Sequence, residues 1–148
     1  MLQRFRCDSP EPGALILMRE LCDAGRTVLV ETSGEADVSA VDPRVHKIMD
    51  LKAPGSGESH RNRWSNLDHI GPRDEIKFVL ADRADYEWMR ATIQGRALAA
   101  RGAALLASAV WGKLSPRALV DWVLEDGLPV RVQVQLHKVI WGADAQGV

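Results

Sequence analysis

Apolar residues recur along the chain in short runs whose spacing alternates between that of a helix and that of a strand. Helical spacing predicts three helices, over residues 13–24, 83–100 and 115–127. Runs rich in β-branched residues and a last run of strict alternation predict five strands, over residues 27–34, 45–52, 74–81, 104–110 and 130–141. This alternation of helix and strand predicts an α/β fold, with a mostly parallel sheet and helices packed on it.

A polar segment, PGSGESHRNRWSNL, lies between the second and third predicted strands. Its composition predicts a long surface loop, of the kind that often forms part of a site. Lys52 comes before the glycines of this segment, whereas the lysine of a phosphate-binding P-loop follows them at the start of a helix. We therefore do not favour a generic phosphate-binding enzyme, and we interpret Lys52 as the end of a buried strand that delivers polar groups to a pocket.

Polar residues stand at the carboxyl ends of the predicted strands, which share one edge of a parallel sheet. They are Glu31, Thr32, Ser33, Gly34, Asp50, Lys52, Lys77, Ser108, Gln135 and His137, with Leu51 and Leu136 among them. Glu31 is suited to accept hydrogen bonds from a heterocycle, Lys52 to pair with a carboxylate, and Ser108 to orient an adenosine-sized ligand. Simpler roles stay open: Glu31 as a helix cap, Lys52 as a solvated neighbour of Asp50, and His137 as a core histidine.

Composition indicates one ordinary domain that acts on small ligands. The chain has 148 residues, 46% of them hydrophobic, with 19 basic and 20 acidic side chains. This balance gives no electrostatic footprint for nucleic acid or for an anionic membrane. We see no apolar run that could cross a bilayer and no signal peptide, so we expect a cytoplasmic protein with neither kind of partner.

The thiol and imidazole groups are too few and too scattered for a metal centre. Only two cysteines occur, Cys7 and Cys22, and the four histidines lie far apart along the chain. These numbers exclude a disulfide framework and a self-sufficient iron–sulfur motif, and they disfavour a zinc site. We therefore assign no metal ligand in this chain.

Four motifs in order, ETSG, DLKAPGSGE, DEIKFV and QLHKVIW, resemble the carboxyl-terminal two-thirds of the 7-carboxy-7-deazaguanine synthase family of radical S-adenosylmethionine enzymes. The resemblance covers about residues 13–142 and leaves 1–12 as an unrecognised amino-terminal segment and 143–148 as a tail. It implies an incomplete (β/α) barrel with mostly parallel strands and helices outside, in agreement with the pattern of apolar residues.

The resemblance also implies an activity and its cofactors. Members of the family are lyases that convert 6-carboxy-5,6,7,8-tetrahydropterin to 7-carboxy-7-deazaguanine in queuosine and deazapurine biosynthesis. They use S-adenosylmethionine, a four-iron four-sulfur cluster and magnesium. The partner expected here is a small pterin substrate, and a homodimer is a possible assembly.

Site residues follow from the resemblance by position. It implies cofactor contacts at Asp50, Leu51, Lys52, Ser108, Ala109, Val110 and Trp111. It places Glu31, Ser33 and His137 towards the substrate ring. The family normally has proline where this chain has Ala109, and no residue here is assigned a catalytic role.

Two family features are absent from the sequence. These are the three-cysteine motif that binds the cluster and the Gly-Gly-Glu-Pro strand that holds the methionyl amine. We therefore expect a chain that lacks the cluster-binding part, is inactive alone, and leaves the strand at 27–34 without an upstream neighbour. The alternative is a non-catalytic remnant, or a partner subunit that binds S-adenosylmethionine or another nucleotide.

Overall fold

The computed structural model describes residues 1–6 and 11–142, and for Arg6 and His137 it describes the backbone alone. The strands are β1 Leu2–Arg6, β2 Thr27–Thr32, β3 His46–Lys52, β4 Glu75–Leu80, β5 Ala104–Ala109 and β6 Arg131–Gln133. The α-helices are α1 Pro12–Asp23, α2 Arg83–Gly95, α3 Pro116–Glu125 and α4 Leu136–Trp141. Within these described residues, no helix is long and apolar enough to cross a membrane.

The six strands form one sheet in which spatial order equals chain order and every neighbouring pair is parallel. Because each strand is added on the same side of the one before it, right-handed connections all pass over the same face of the sheet. A sheet wound in one direction in this way is part of a β/α barrel, and it differs from the doubly wound arrangement, in which strand order reverses. The predicted α/β fold with a partial barrel is confirmed.

One face of the sheet carries the main core. Met49 and Leu51 of β3 and Phe78 of β4 are fully buried there. They pack with Tyr86 of α2 and Leu119 of α3, in a cluster that continues across β5. Side chains alternate between the two faces of a strand, so the residues between these positions point to the other side.

That other side we call the polar face. Its residues include Glu31 on β2, Asp50 and Lys52 on β3, Lys77 on β4 and Ser108 on β5. Partners in register across parallel strands point the same way, so these side chains share one surface. The pattern of buried and half-buried residues along β3 and β4, which alternates strictly, follows from this division.

The amino-terminal residues form a strand that the sequence pattern did not predict. β1 pairs with β2 over Leu2 to Arg6, and Phe5 packs against the smaller apolar cluster around Val28 and Val30. Arg4 and Glu31 form an ion pair between the two strands. The expectation that the strand at 27–34 lacks an upstream neighbour is therefore wrong. A five-residue run with two apolar side chains among polar and charged ones was too weak a signal to predict it.

The last predicted strand is also only partly correct. The strand ends at Gln133, and Leu136–Trp141 forms α4. Leu136, Val139 and Ile140 follow the i, i+3, i+4 spacing of a helix, although the residues before them alternate as in a strand. Gln135, Leu136 and His137 therefore belong to the start of a helix and not to the end of a strand.

A buried ion pair lies at the amino ends of β3 and β4. The Lys47 ammonium lies 3.3 Å from the Asp74 carboxylate, and both side chains are less than a tenth exposed. Asp74 also accepts hydrogen bonds from the backbone N–H groups of Lys47 and Gly71, at 2.8 and 2.9 Å. This carboxylate therefore has partners for both of its oxygens.

Candidate functional site

The carboxyl end of β3 brings Asp50 and Lys52 together. They are two residues apart on one strand, so they share the polar face, and Lys52 Nζ donates to Asp50 Oδ2 at 2.7 Å. Their side chains are 27% and 33% exposed, which places the pair at the boundary between the sheet and solvent. The other oxygen, Asp50 Oδ1, is buried and has no hydrogen-bond partner among the described residues.

Asn62, in the loop that follows β3, bonds to the backbone of the last residue of that strand. Its side-chain amide accepts from the Lys52 N–H and donates to the Lys52 carbonyl, both at 2.9 Å. The amide thus pairs with the strand end as a neighbouring strand would. Asn62 is buried, so the segment predicted to be a surface loop in fact folds back onto the sheet.

At two positions near this edge only glycine fits, because neighbouring atoms approach its Cα closely. Gly34 has a φ of +80°, and a Cβ there would lie 2.8 Å from the Asp50 carbonyl oxygen. A Cβ on Gly55 would lie 2.5 Å from the Asp85 carboxylate. Any other residue at either position would displace its neighbour. The glycines of ETSG and PGSG therefore let the loops pack closely around the end of β3.

Asp85 fixes the PGSG segment, and sequence reasoning did not find it. Its carboxylate accepts from the Gly55 N–H at 2.7 Å and from the Ala81 N–H at 2.9 Å, and the residue is 1% exposed. The one available signal was the spacing of Asp82 and Asp85 at the start of α2, where Asp82 accepts from the Asp85 N–H at 2.9 Å. Gly55 is 30 residues away from Asp85 along the chain, so this contact depends on the fold.

Arg61 connects the loops that follow β2 and β3. It donates to Glu35 at 2.7 Å and to Glu58 at 2.8 Å. The hydrogen bond from Arg61 holds the pKa of the Glu58 carboxyl below its ordinary value. Both loops are thereby held together on the solvent side of the edge.

Ser108 occupies the matching position on β5. It is in register with Val79, which is itself in register with Lys52, so Ser108 and Lys52 lie at the same level of the polar face. The residue is 3% exposed, and its hydroxyl has no hydrogen-bond partner in the described part of the chain. A buried hydroxyl in this state is available to a polar ligand.

Buried polar atoms without a described partner gather at this edge. They are Ser33 Oγ, Asp50 Oδ1, Ser108 Oγ and Gln135 Oε1. All four belong to the set of residues predicted at the carboxyl ends of the strands. Since buried polar groups are normally hydrogen-bonded, their position marks where a ligand or ordered water completes the structure.

Of the residues expected to contact the cofactor, all but Ser108 line one of two adjoining cavities. A cavity of about 420 Å³ is lined by Asp50, Leu51, Lys52 and Val110. A second, of about 480 Å³, is lined by Ala109 and Trp111 together with Gln133 and Gln135. Lys113 lines both cavities, so they meet at the turn after β5.

The residues expected near the substrate ring are less closely grouped. Ser33 has its hydroxyl among the unpartnered atoms described above. Glu31 lies inside β2 in an ion pair with Arg4, so the alternative that it caps a helix is wrong. The backbone of His137 lies in α4, and its side chain is outside the described residues.

No group of three or more histidine, cysteine or acidic side chains is placed to hold a metal ion in the described residues. Cys22 lies on α1, where burial raises the pKa of its thiol. At neutral pH this group is a thiol and not the thiolate that binds iron. Cys7 lies outside the described residues.

An open sheet of parallel strands in chain order, with polar groups and cavities at their carboxyl ends, defines the chain as part of a β/α barrel with a candidate ligand site at that edge. Comparison with curated proteins then finds relatives that share one name. The chain is a homologue of the 7-carboxy-7-deazaguanine synthases over part of their length, as its motifs predicted. No model of a protein family matches it.

Three relatives, all named 7-carboxy-7-deazaguanine synthase, illustrate the similarity. The protein from Chlorobaculum tepidum is 43% identical over 93% of this chain and 64% of its own length. The protein from Koribacter versatilis is 41% identical over 88% of this chain and 63% of its own length. The protein from Leptospira interrogans is 40% identical over 80% of this chain and 50% of its own length. The chain thus spans less than two thirds of the length of these relatives.

Proposed function

We propose that this chain supplies the part of a radical S-adenosylmethionine 7-carboxy-7-deazaguanine synthase that binds the cofactor and the pterin substrate. The observation that supports this most directly is the group of buried, unpartnered polar atoms at the carboxyl edge of the sheet. They coincide with residues that the family resemblance assigns to the two ligands. The relatives named for this activity are longer than the chain, so the activity itself belongs to the proposal.

The described residues fit S-adenosylmethionine. Ser108 Oγ is a buried hydroxyl that can bond to a nucleoside, and Ala109, Val110 and Trp111 provide apolar lining in the cavities beside it. Lys52 is held by Asp50 and Asn62 at a fixed strand end, from which its ammonium can pair with a carboxylate. When bound in the complete enzyme, this cofactor supplies the means to remove a hydrogen atom from the substrate.

The sequence does not fit the iron–sulfur cluster. A radical enzyme of this type needs three thiolates, and this sequence has two cysteines, of which Cys22 has a raised pKa on α1. We therefore assign no cluster ligand and no magnesium ligand here. In our proposal the chain alone binds ligands without turning them over.

Binding of S-adenosylmethionine to the purified chain tests the proposal, and Ser108→Ala is the informative variant. Its hydroxyl has no described partner, so we expect an unchanged melting temperature and a two- to tenfold weaker dissociation constant, as for loss of about 0.5–1.5 kcal/mol from one hydrogen bond. Ser65→Ala in the exposed part of the loop is the matched control. The proposal fails if the unmodified chain does not bind S-adenosylmethionine.

A chimaera separates the enzyme interpretation from the alternative of a non-catalytic binding protein. It joins this chain to the part of the Chlorobaculum tepidum relative that the chain does not span. Formation of 7-carboxy-7-deazaguanine by the reconstituted chimaera would support a competent substrate site in this chain. A chimaera that binds S-adenosylmethionine and forms no product would favour the alternative.

A further inference from the structure

Lys77 is a charged residue in the middle of the polar face. It is the third residue of β4, an interior strand of the sheet, and it is in register with Asp50 on β3 and Leu106 on β5. The residue is partly buried. Its side-chain ammonium forms no hydrogen bond or ion pair with any residue that the structure describes.

Charged neighbours of Lys77 on the same face do have partners. Asp50 Oδ2 accepts from Lys52 at 2.7 Å, and Glu75 lies 3.9 Å from Arg131. Glu31 pairs with Arg4. The ammonium of Lys77 is therefore left without a counter-charge among the described side chains, although acidic groups lie on the strands beside it.

A partly buried, unpaired ammonium is unfavourable unless something else compensates its charge. Lys77 lies one step along the polar face from Val79, which lines the same cavity as Asp50 and Lys52. Asp50 is in register with Lys77, and its Oδ1 atom is buried without a hydrogen-bond partner among the described residues. An acceptor that lines the cavity, Asp50, and a cation, Lys77, are thus in register on neighbouring strands of the polar face.

We infer that Lys77 binds a carboxylate of the ligand held on the polar face, while Asp50 Oδ1 accepts a hydrogen bond from an N–H group of the same ligand. This inference rests on the proposed function. Both ligands proposed there carry a carboxylate, on the methionyl group of S-adenosylmethionine and on the pterin ring. The shared chemistry is a carboxylate close to a hydrogen-bond donor, and the two sources are separated by experiment.

The test compares each ligand with an analogue that has no carboxylate. Dissociation constants are measured for S-adenosylmethionine against 5′-methylthioadenosine, and for 6-carboxypterin against pterin. In one of these pairs, Lys77→Gln is expected to weaken the carboxylated ligand about tenfold or more and to leave its analogue within about twofold. Lys77→Arg keeps the charge and is expected to restore at least part of the affinity. The pair that responds identifies the source of the carboxylate.

Arg117→Gln is the matched control, since it removes one positive charge from a side chain on α3 that is 91% exposed. Equal weakening of a ligand and its analogue by Lys77→Gln would mean that the lysine only supports the fold, and the inference would fail. Binding that Lys77→Gln leaves unchanged would also overturn it, while leaving the proposed function intact. An unmodified chain that binds neither carboxylated ligand would overturn both.

Discussion

Single buried side chains hold the edge of the site by bonding to backbone. Asn62 pairs with both polar groups of Lys52, and Asn66 donates to the carbonyls of Gly34 and Ala36 at 3.2 and 2.7 Å. Asp85 does the same for the PGSG segment. Each of these residues comes from a different part of the chain than the backbone it holds. They keep the loops around the strand ends in place, and Asp85 also lines the cavity that contains Asp50 and Lys52.

We predict that Asp85→Ala lowers the free energy of unfolding by about 2–3 kcal/mol, because two backbone N–H groups lose a buried, charged acceptor. Asp85→Asn keeps one acceptor oxygen and should cost less. Urea denaturation at neutral pH measures both. Asp121→Ala, at a 62% exposed position on α3, is the control. A loss for Asp85→Ala no larger than that for Asp121→Ala would contradict this role.

At the scale of elements, α2 and α3 are joined by a polar contact over the apolar core. The Tyr86 hydroxyl donates to Asp126 Oδ2 at 2.6 Å and lies 2.7 Å from the Trp122 carbonyl oxygen. Arg90 donates to the same carboxylate at 3.1 Å. Burial raises the pKa of the Tyr86 phenol, and its hydrogen bond to Asp126 lowers the pKa of that carboxyl. The phenol therefore stays neutral and the carboxylate charged over the ordinary range of pH.

We predict that Tyr86→Phe lowers the free energy of unfolding by about 1–2 kcal/mol at pH 7 and by less in acid. The pKa of the Asp126 carboxyl is lower in the folded state than in the unfolded state. The charged carboxylate therefore stabilises the folded state fully above the unfolded pKa of about 4, and this stabilisation is lost as the pH falls through the folded-state pKa. Denaturation of both proteins at several pH values measures the difference. A gap that stays constant down to pH 2 would show that Asp126 does not take part.

Sequence patterns predicted the elements whose apolar residues repeat regularly. β3, β4 and α3 are within two residues of their predicted bounds, since their burial follows a single period. β1 is too short and charged to show such a period, and the apolar residues near 136–140 fit a helix as well as a strand. Ser33, Asp50 and Ser108 became candidate site residues through their place at strand ends. The roles of Asn62 and Asp85 depend on contacts with distant backbone, which no local pattern contains.

At the scale of the whole molecule, the polar groups that we propose to bind ligands are separate from the thiols that a cluster would need. The first are gathered at one edge of the sheet. The thiols are two in number, and the described one lies on α1, remote in sequence from that edge. An activity that needs both requires cysteines from outside this sequence.

We predict that the chain, reconstituted anaerobically with iron and sulfide, will not hold a stoichiometric four-iron cluster, because it cannot provide three thiolates. It should then form no deoxyadenosine from S-adenosylmethionine under strong reductant. Iron analysis and chromatography of the nucleoside products measure the two outcomes. About four irons per chain together with deoxyadenosine would show that other ligands replace the missing cysteines.

The buried pair of Lys47 and Asp74 makes the amino end of the sheet less tolerant of substitution than the carboxyl end. Both residues are bonded internally, so a substitution of either leaves an uncompensated buried charge and lowers stability. Ser33 and Ser108 at the other end have hydroxyls that no described group uses, and their loss is close to neutral for folding. Selection for a new ligand can therefore sample the carboxyl end with little loss of folded protein, while the amino end keeps the scaffold constant.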